Sequence, residues 1–405
     1  MPNALDLALS PTGQHLLTAA SSLPETLSDR LGQRLRAAGY EADLVSAVLT
    51  QAQLRREAEA KLGPAAREMV FTRAGLEQAT RLVVAAHHAQ RFREAGIERV
   101  ADLGCGLGIE SLAMAGLGLR VVAIEKDPAT ARAAAHNLHP FPEAEVRVGD
   151  VTEIDLAELG VEAFFADPAR RTAAGRALSP EQWSPPLSTV LDFTAQLPGG
   201  IKVAPGIDHA LVPPASHTQW TSVDGEVVEA AIWTGPLAQP GPGRSALVIR
   251  SGQAHRFVVP DLADASAPNP QVEAASQLGE YIAEPDGALI RAGGVAALAE
   301  RLDAAPVFAQ IAYLTGDTLA PRELRPFVTQ WRILEVASLK SKKLRAACRE
   351  WGAGEVVIKK RGANIDPAKL RREILPKPFG TEKITLICTR LGNRRVALRV
   401  EPVGA

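Results

Sequence analysis

The run Asp102-Leu103-Gly104-Cys105-Gly106-Leu107-Gly108 lies between an apolar strand pattern that begins near Glu98 and a helical pattern, Ile-Glu-Ser-Leu-Ala-Met-Ala, that begins at Ile109. Three alternating glycines at such a turn constrain the fold more than any other feature of the chain. Glycine reaches positive φ without a side-chain clash and lets the backbone approach a ligand closely. The helix that follows turns its unpaired first-turn N–H groups towards an oxygen-rich or anionic group. Further strand patterns follow in LRVVAIEKD (119–127), AEVRVGDV (144–151) and VEAFFADPARR (161–171), with helical PATARAAAHNL (128–138) between the first two. Strands separated by helices imply parallel βαβ units, hence a Rossmann-like α/β domain. STVLDFTAQL reads as a helix and GIKVAPG as a fifth strand. GEVVEAAIWTG and RSALVIRSG read as an antiparallel hairpin that brings the sheet to seven strands.

Two acids extend the glycine turn into a site. Glu125 closes the second strand, where a carboxylate accepts both hydroxyls of a ribose. Asp150 follows the third, placed to accept from an adenine amine. The expected cofactor set is Asp102, Gly104, Cys105, Gly106, Gly108, Glu125, Lys126, Asp150 and Val151, and the expected cofactor is S-adenosyl-L-methionine. Its methionine carboxylate would lie at the helix N-terminus. A dinucleotide site is the rival, but its fingerprint is Gly-x-Gly-x-x-Gly, and Ile109 stands where the third glycine belongs. A ligand-free Rossmann fold is the third reading. Cys105 is read as a small spacer between glycines rather than a nucleophile.

Sites in open α/β sheets lie beyond the carboxyl ends of the strands, which places Asp167 at the end of the fourth strand facing a bound methyl donor. Asp167, Pro168 and Arg170 are the expected catalytic residues, with Arg171 a substrate contact. The segment resembles the Asp/Asn-Pro-Pro-aromatic motif of nitrogen-directed methyltransferases, in which the polar side chain orients the target amine. It departs from that motif: Ala169 replaces the second proline, and Arg170 replaces the aromatic that would stack on a base. The two arginines suit a phosphate or carboxylate of the substrate instead. The bland alternative is a turn-capping Asp167 with solvated arginines. Trp183 is either a stacking platform or a packed side chain.

Residues 1–90 read as a helical region, with Leu27, Leu31 and Leu35, then Leu44 and Val48, at helical spacing. Leu76, Ala79, Leu82, Val83 and Ala86 make a third stripe. The methyltransferase-like domain is expected over 91–255, a linker and connecting helical segment over 256–330, and a basic α+β module over 331–405. Between Ser338 and Val396 stand 8 Lys and 8 Arg against 5 acids, a local charge of +11 in a chain whose formal net charge is -1. The remainder therefore carries -12, and one end is electrostatically specialised. Three isolated cysteines form neither a disulfide framework nor a zinc motif, and no metal-ligand cluster stands out. With no basic, then apolar leader pattern and no membrane-spanning apolar run, a cytoplasmic protein is expected.

Taken together, Phe71-Thr72-Arg73, Gln78-Ala79-Thr80, Asp102 to Gly108, Asp167-Pro168-Ala169-Arg170, Ile358-Lys359-Lys360-Arg361-Gly362 and Asp366-Pro367 resemble a bacterial family of class I SAM-dependent methyltransferases with a THUMP-like C-terminal domain. A more distant similarity links the chain to trimethylguanosine synthases, whose tryptophan after Asp-Pro-Pro is missing here. The resemblance implies methyl transfer to an RNA, such as a tRNA, delivered by the basic module. It also hints that Glu77 and Gln78 approach the cofactor. Lys359, Lys360 and Arg361 are expected to contact that substrate, alongside basic residues of two helices, since phosphate backbones attract such clusters. The competing reading of the module is a basic surface docked on the acidic remainder of its own chain. Two other functions stay open: methylation of an acidic small molecule, and a non-catalytic RNA-binding scaffold.

Overall fold

The computed structural model describes residues 3–21, 28–172, 175–176, 179–392 and 394–403, apart from the side chains of 28–29, 171–172 and 175–176. The chain divides into two compact units, Met1–Val203 with Ala231–Pro240, and Ala204–Ala230 with Gly241–Ala405.

The first unit opens with helices α1 (Ala4–Leu9), α2 (Pro11–Ser21), α3 (Ser28–Ala37), α4 (Ala42–Leu62), α5 (Arg73–Gln78) and α6 (Leu82–Glu94). Leu16, Leu17 and Ala20 of α2 bury against Val48 and Ala52 of α4, with Leu31, Leu35 and Leu44 packed alongside. The stripe from Leu76 to Ala86, expected as one helix, is two. The Lys61 ammonium takes the carbonyls of Leu76 (2.7 Å), Glu77 (3.0 Å) and Ala79 (3.3 Å). It thereby ends α5, and Arg81 in extended backbone starts α6. Thr80 is left in the turn between them.

There follow β1 (Arg99–Leu103), α7 (Ile109–Gly116), β2 (Arg120–Glu125), α8 (Pro128–Leu138), β3 (Ala144–Val148), β4 (Ala163–Ala166), the two-residue β5 (Arg171–Thr172) and β6 (Gly175–Arg176), α9 (Leu187–Asp192) and β7 (Gly199–Val203). Parallel pairing gives the order β7-β4-β1-β2-β3. The central strands are apolar on both faces because helices flank a parallel sheet: β1 is buried from Val100 to Leu103 and β4 throughout. This is the expected Rossmann-like α/β fold.

β8 (His217–Val223), β9 (Glu226–Trp233), β10 (Gly243–Arg250) and β11 (Gln253–Val258) come next. The expected hairpin of GEVVEAAIWTG with RSALVIRSG does not form. β10 instead pairs β8 in parallel and β11 antiparallel. The β9–β10 connection is too long for a tight turn, and within the first unit Arg91 holds its carbonyls at Leu237 (2.8 Å) and Gln239 (2.9 Å). β8 escaped the sequence reading because it is buried on both faces yet carries polar side chains, Thr218 and Ser222 on one and Gln219 on the other.

The stretch 256–330, expected as linker and helix, holds much of a sheet. β12 (Tyr281–Pro285), α10 (Gly287–Arg291), α11 (Val295–Arg301), β13 (Ala304–Phe308) and β14 (Ile311–Gly316) precede β15 (Val328–Ser338), α12 (Ser341–Glu350), β16 (Ala353–Lys360), α13 (Pro367–Ile374), β17 (Glu382–Leu391) and β18 (Arg394–Pro402). Seven of these strands form one sheet in the order β13-β14-β12-β15-β18-β17-β16. The pleat sends Leu386 and Cys388 to the face that buries Leu344, Cys348, Leu370 and Ile374 of α12 and α13. Ile387 points to the opposite face, with Ile282, Tyr313 and Trp331.

Candidate active site

β1 and β4 end side by side, Leu103 opposite Ala166. The chain leaves β1 for one edge of the sheet and β4 for the other, so a cleft opens beyond their carboxyl ends. It is lined by Thr72, Gly75 and Gln78–Thr80 around α5, by Asp102, Gly104–Leu107, Ile109 and Glu110 at the glycine turn, by Glu125 and Thr130, and by Asp167 and Ala169.

Gly104, Gly106 and Gly108 take positive φ, +81°, +55° and +78°, as the turn requires. The N–H groups of Gly104 and Cys105 both donate to the Ile124 carbonyl at 2.9 Å, tying the loop to the next strand. Asp102, 1% exposed, accepts from the Ser111 N–H (3.1 Å) and hydroxyl (2.5 Å), which fastens the end of β1 to the first turn of α7. Burial pushes its carboxyl up to about 7, against the pull of Ser111 and with help from the like charges of Glu110 and Asp167. Burial also raises the Cys105 thiol well above its usual range, leaving it a neutral spacer.

The Glu125 carboxylate is oriented by backbone at both oxygens: Oε2 accepts from the Gly106 N–H (3.0 Å) and Oε1 from the Asp127 N–H (2.9 Å). Each oxygen has a further lone pair to offer. Asp150 accepts from Lys126 at 2.6 Å and from the N–H and hydroxyl of Thr152; the Lys126 ammonium, with Thr152, holds its carboxyl down to about 2. Lys126, Asp150, Val151 and Gly108 are not among the lining residues, nor are Pro168, which is buried, and Arg170, which is half-buried. The side chain of Arg171 lies outside the described residues. Trp183 is buried.

The sequence reading did not include Lys202. On β7 and 7% exposed, it donates to Asp167 Oδ2 at 2.7 Å and to Thr80 Oγ1 at 2.9 Å. Its signal was present: only Lys61, Lys126 and Lys202 precede Lys340 in the chain, and a lysine inside an apolar strand needs a partner. Glu110 and His88 were also missed. Both are buried, with His88 Nδ1 3.1 Å from Glu110 Oε2. Of the residues expected to bind cofactor or act in catalysis, the cleft gathers Asp102, Gly104, Cys105, Gly106, Glu125 and Asp167. Gln78, but not Glu77, joins them.

The chain is 33% identical over 350 residues to an uncharacterized S-adenosylmethionine-dependent methyltransferase of Mycobacterium tuberculosis, found alike in strains CDC 1551 / Oshkosh and H37Rv. The match covers 84% of this chain and 91% of the relative. It belongs to the S-adenosylmethionine-dependent methyltransferases. The crystal structure of a "putative methyltransferase" from Porphyromonas gingivalis W83 shares the fold, with a TM-score of 0.73 at 20% identity, covering 96% of this chain and 99% of that one. Residues 328–402 match the family described as THUMP domain-like, and residues 3–58 a domain of unknown function (DUF8688).

In the THUMP-like part of this methyltransferase, all three expected substrate cations are engaged within the chain. Lys359 and Arg361 share Glu284, each at 3.2 Å, and lie over the Trp331 and Tyr313 rings. Lys360 donates to the Ile365 carbonyl at 2.7 Å. The adjacent α12 and α13 differ. Their apolar sides bury Leu344, Cys348, Leu370 and Ile374, while Lys342, Lys343, Arg345, Lys369, Arg371 and Arg372 are exposed.

Proposed function

We propose that this methyltransferase binds S-adenosylmethionine in the cleft at β1 and β4 and methylates an RNA held by the exposed cations of α12 and α13. One observation carries the placement of the cofactor. Among the described residues, the cleft is lined by four carboxylates, Asp102, Glu110, Glu125 and Asp167, and by no Lys or Arg. That donor set suits a ribose diol and a cationic sulfonium, whereas a dinucleotide diphosphate would meet repulsion. Glu125, held by two N–H groups, would take the ribose hydroxyls, and the turn from Gly104 to Gly106 would lie against the ligand. Asp150, at the end of β3, would reach the adenine. When bound, the cofactor supplies an electrophilic methyl on sulfur.

Asp167 would orient the acceptor. Lys202 occupies Oδ2 and keeps the carboxylate in one orientation with Oδ1 available to an acceptor hydrogen, and positioning of this kind accounts for much of the rate of an in-line transfer. Arg170 would contact the acceptor's phosphate. Exposed cations on two neighbouring helices, with Lys359 and Arg361 already paired, support backbone contact with RNA through α12 and α13. Three free, buried cysteines accord with a cytoplasmic setting.

Labelled S-adenosylmethionine and total RNA, followed by nucleoside mapping, test this. Label should enter one nucleoside. K342E/K343E/R345E on α12 should cut incorporation at least about tenfold while leaving affinity for S-adenosylhomocysteine unchanged. Asp167→Ala should lose about a hundredfold in turnover with that affinity intact. Label entering an acidic small molecule, insensitive to the charge reversals, would replace RNA as the substrate. Binding of RNA with no transfer to any acceptor would leave a scaffold.

A further inference from the structure

Glu110 is the one lining carboxylate with no role so far. It stands in the first turn of α7 and is 6% exposed. His88 engages Oε2, while Oε1 is buried with no hydrogen-bond partner among the described residues. His88 is itself confined, stacked on Phe165 at 5.1 Å between ring centroids and leaning on Trp233 at 5.5 Å. The pair therefore has little freedom to carry the carboxylate out to water. An unpaired carboxylate oxygen in such a place is costly. Near it Asp102 feels both Glu110 and Asp167 as like charges, which deepens the negative potential at this end of the cleft. Buried side-chain oxygens are ordinarily hydrogen-bonded. One oxygen satisfied by a fixed histidine and one left over, on a residue that faces the ligand cleft, is the arrangement of a carboxylate kept ready for a cation.

We propose that Glu110 Oε1 accepts the α-ammonium group of the cofactor's amino-acid tail, with His88 as the positioning residue that aims the carboxylate. The inference rests on the cleft being the cofactor site. It assigns the charged tail, rather than the adenosyl half, to α7.

Calorimetry on the full-length protein tests it with two probes that share the adenosyl half. S-Adenosylhomocysteine carries the ammonium; 5′-methylthioadenosine lacks the tail. Glu110→Gln should weaken S-adenosylhomocysteine by about tenfold or more, as expected for a lost charge-assisted contact, and leave methylthioadenosine within about twofold. His88→Leu should show the same selective loss, and His88→Asn, which restores a donor near the Nδ1 position, should recover most of it. The two His88 variants read the same contact should Glu110→Gln not fold. Unchanged affinity for S-adenosylhomocysteine in both Glu110→Gln and His88→Leu, or an equal loss for both probes, overturns the proposal. If the wild-type protein binds neither probe, the cofactor cleft itself is misassigned and the inference falls with it.

Discussion

Asp102 carries the sharpest expectation at the scale of single residues. Its carboxyl titrates near 7 in the folded chain because burial disfavours the charge, against about 3.9 for a free aspartate. Between those values the folded form keeps a proton that the unfolded chain has released, so this group's contribution to stability falls as pH rises from about 4 to about 7 and is flat above. The full span is on the order of 4 kcal/mol. Asp102→Asn, which keeps an acceptor for Ser111, should gain stability relative to wild type across that window. Chemical denaturation from pH 5 to pH 8 would show the difference growing and then levelling; parallel curves would mean that Asp102 is charged throughout. Lys202 teaches a related lesson. Its lysine was visible in the strand pattern, but its partners, Thr80 and Asp167, lie 122 and 35 residues away, and local spacing cannot choose between distant acceptors.

At the scale of elements, the turn from β1 into α7 was legible because each glycine answers a local backbone demand. Gly108 is the strictest, with φ +78° and a space in which a Cβ would meet Leu138 Cδ1 at 3.2 Å. Gly108→Ala should cost at least about 1–2 kcal/mol from the left-handed backbone alone, and should weaken S-adenosylhomocysteine binding by disturbing the loop. Denaturation and calorimetry on the same preparation check both. The break between α5 and α6 was not legible. The apolar stripe runs on through it, and the helix stops because Lys61 of α4 draws off its carbonyls. That stop leaves Thr80 free to line the cleft. In β8 the opposite occurred: buried Thr, Gln and Ser hid a strand whose backbone pairing with β10 is regular.

At the scale of the whole molecule, the basic C-terminal segment stands out in charge but does not separate in structure. β12, from before it, pairs with β15 across five residue pairs from Tyr281–Arg332 to Pro285–Val328, and Ile282, Val307, Ile311 and Tyr313 share one core with Trp331, Ile387 and Leu398. Truncation after residue 330 should therefore expose a sheet edge and half of that core. The shortened chain should aggregate or lose the second unit's cooperative transition, as scattering and calorimetry would record; a soluble truncation with its transition intact would show that 281–316 folds alone. Charge composition is additive along the chain, so the +11 segment was readable without a structure, as were the glycine turn, the βαβ order and the acids at strand ends, because each follows from backbone preference and local period. Which side chains meet was settled only by packing. Lys202 with Asp167, His88 with Glu110, Glu284 with Lys359 and Arg361, and β12 with β15 are contacts between distant segments, and their energies depend on a burial that exists only once the sheets are assembled.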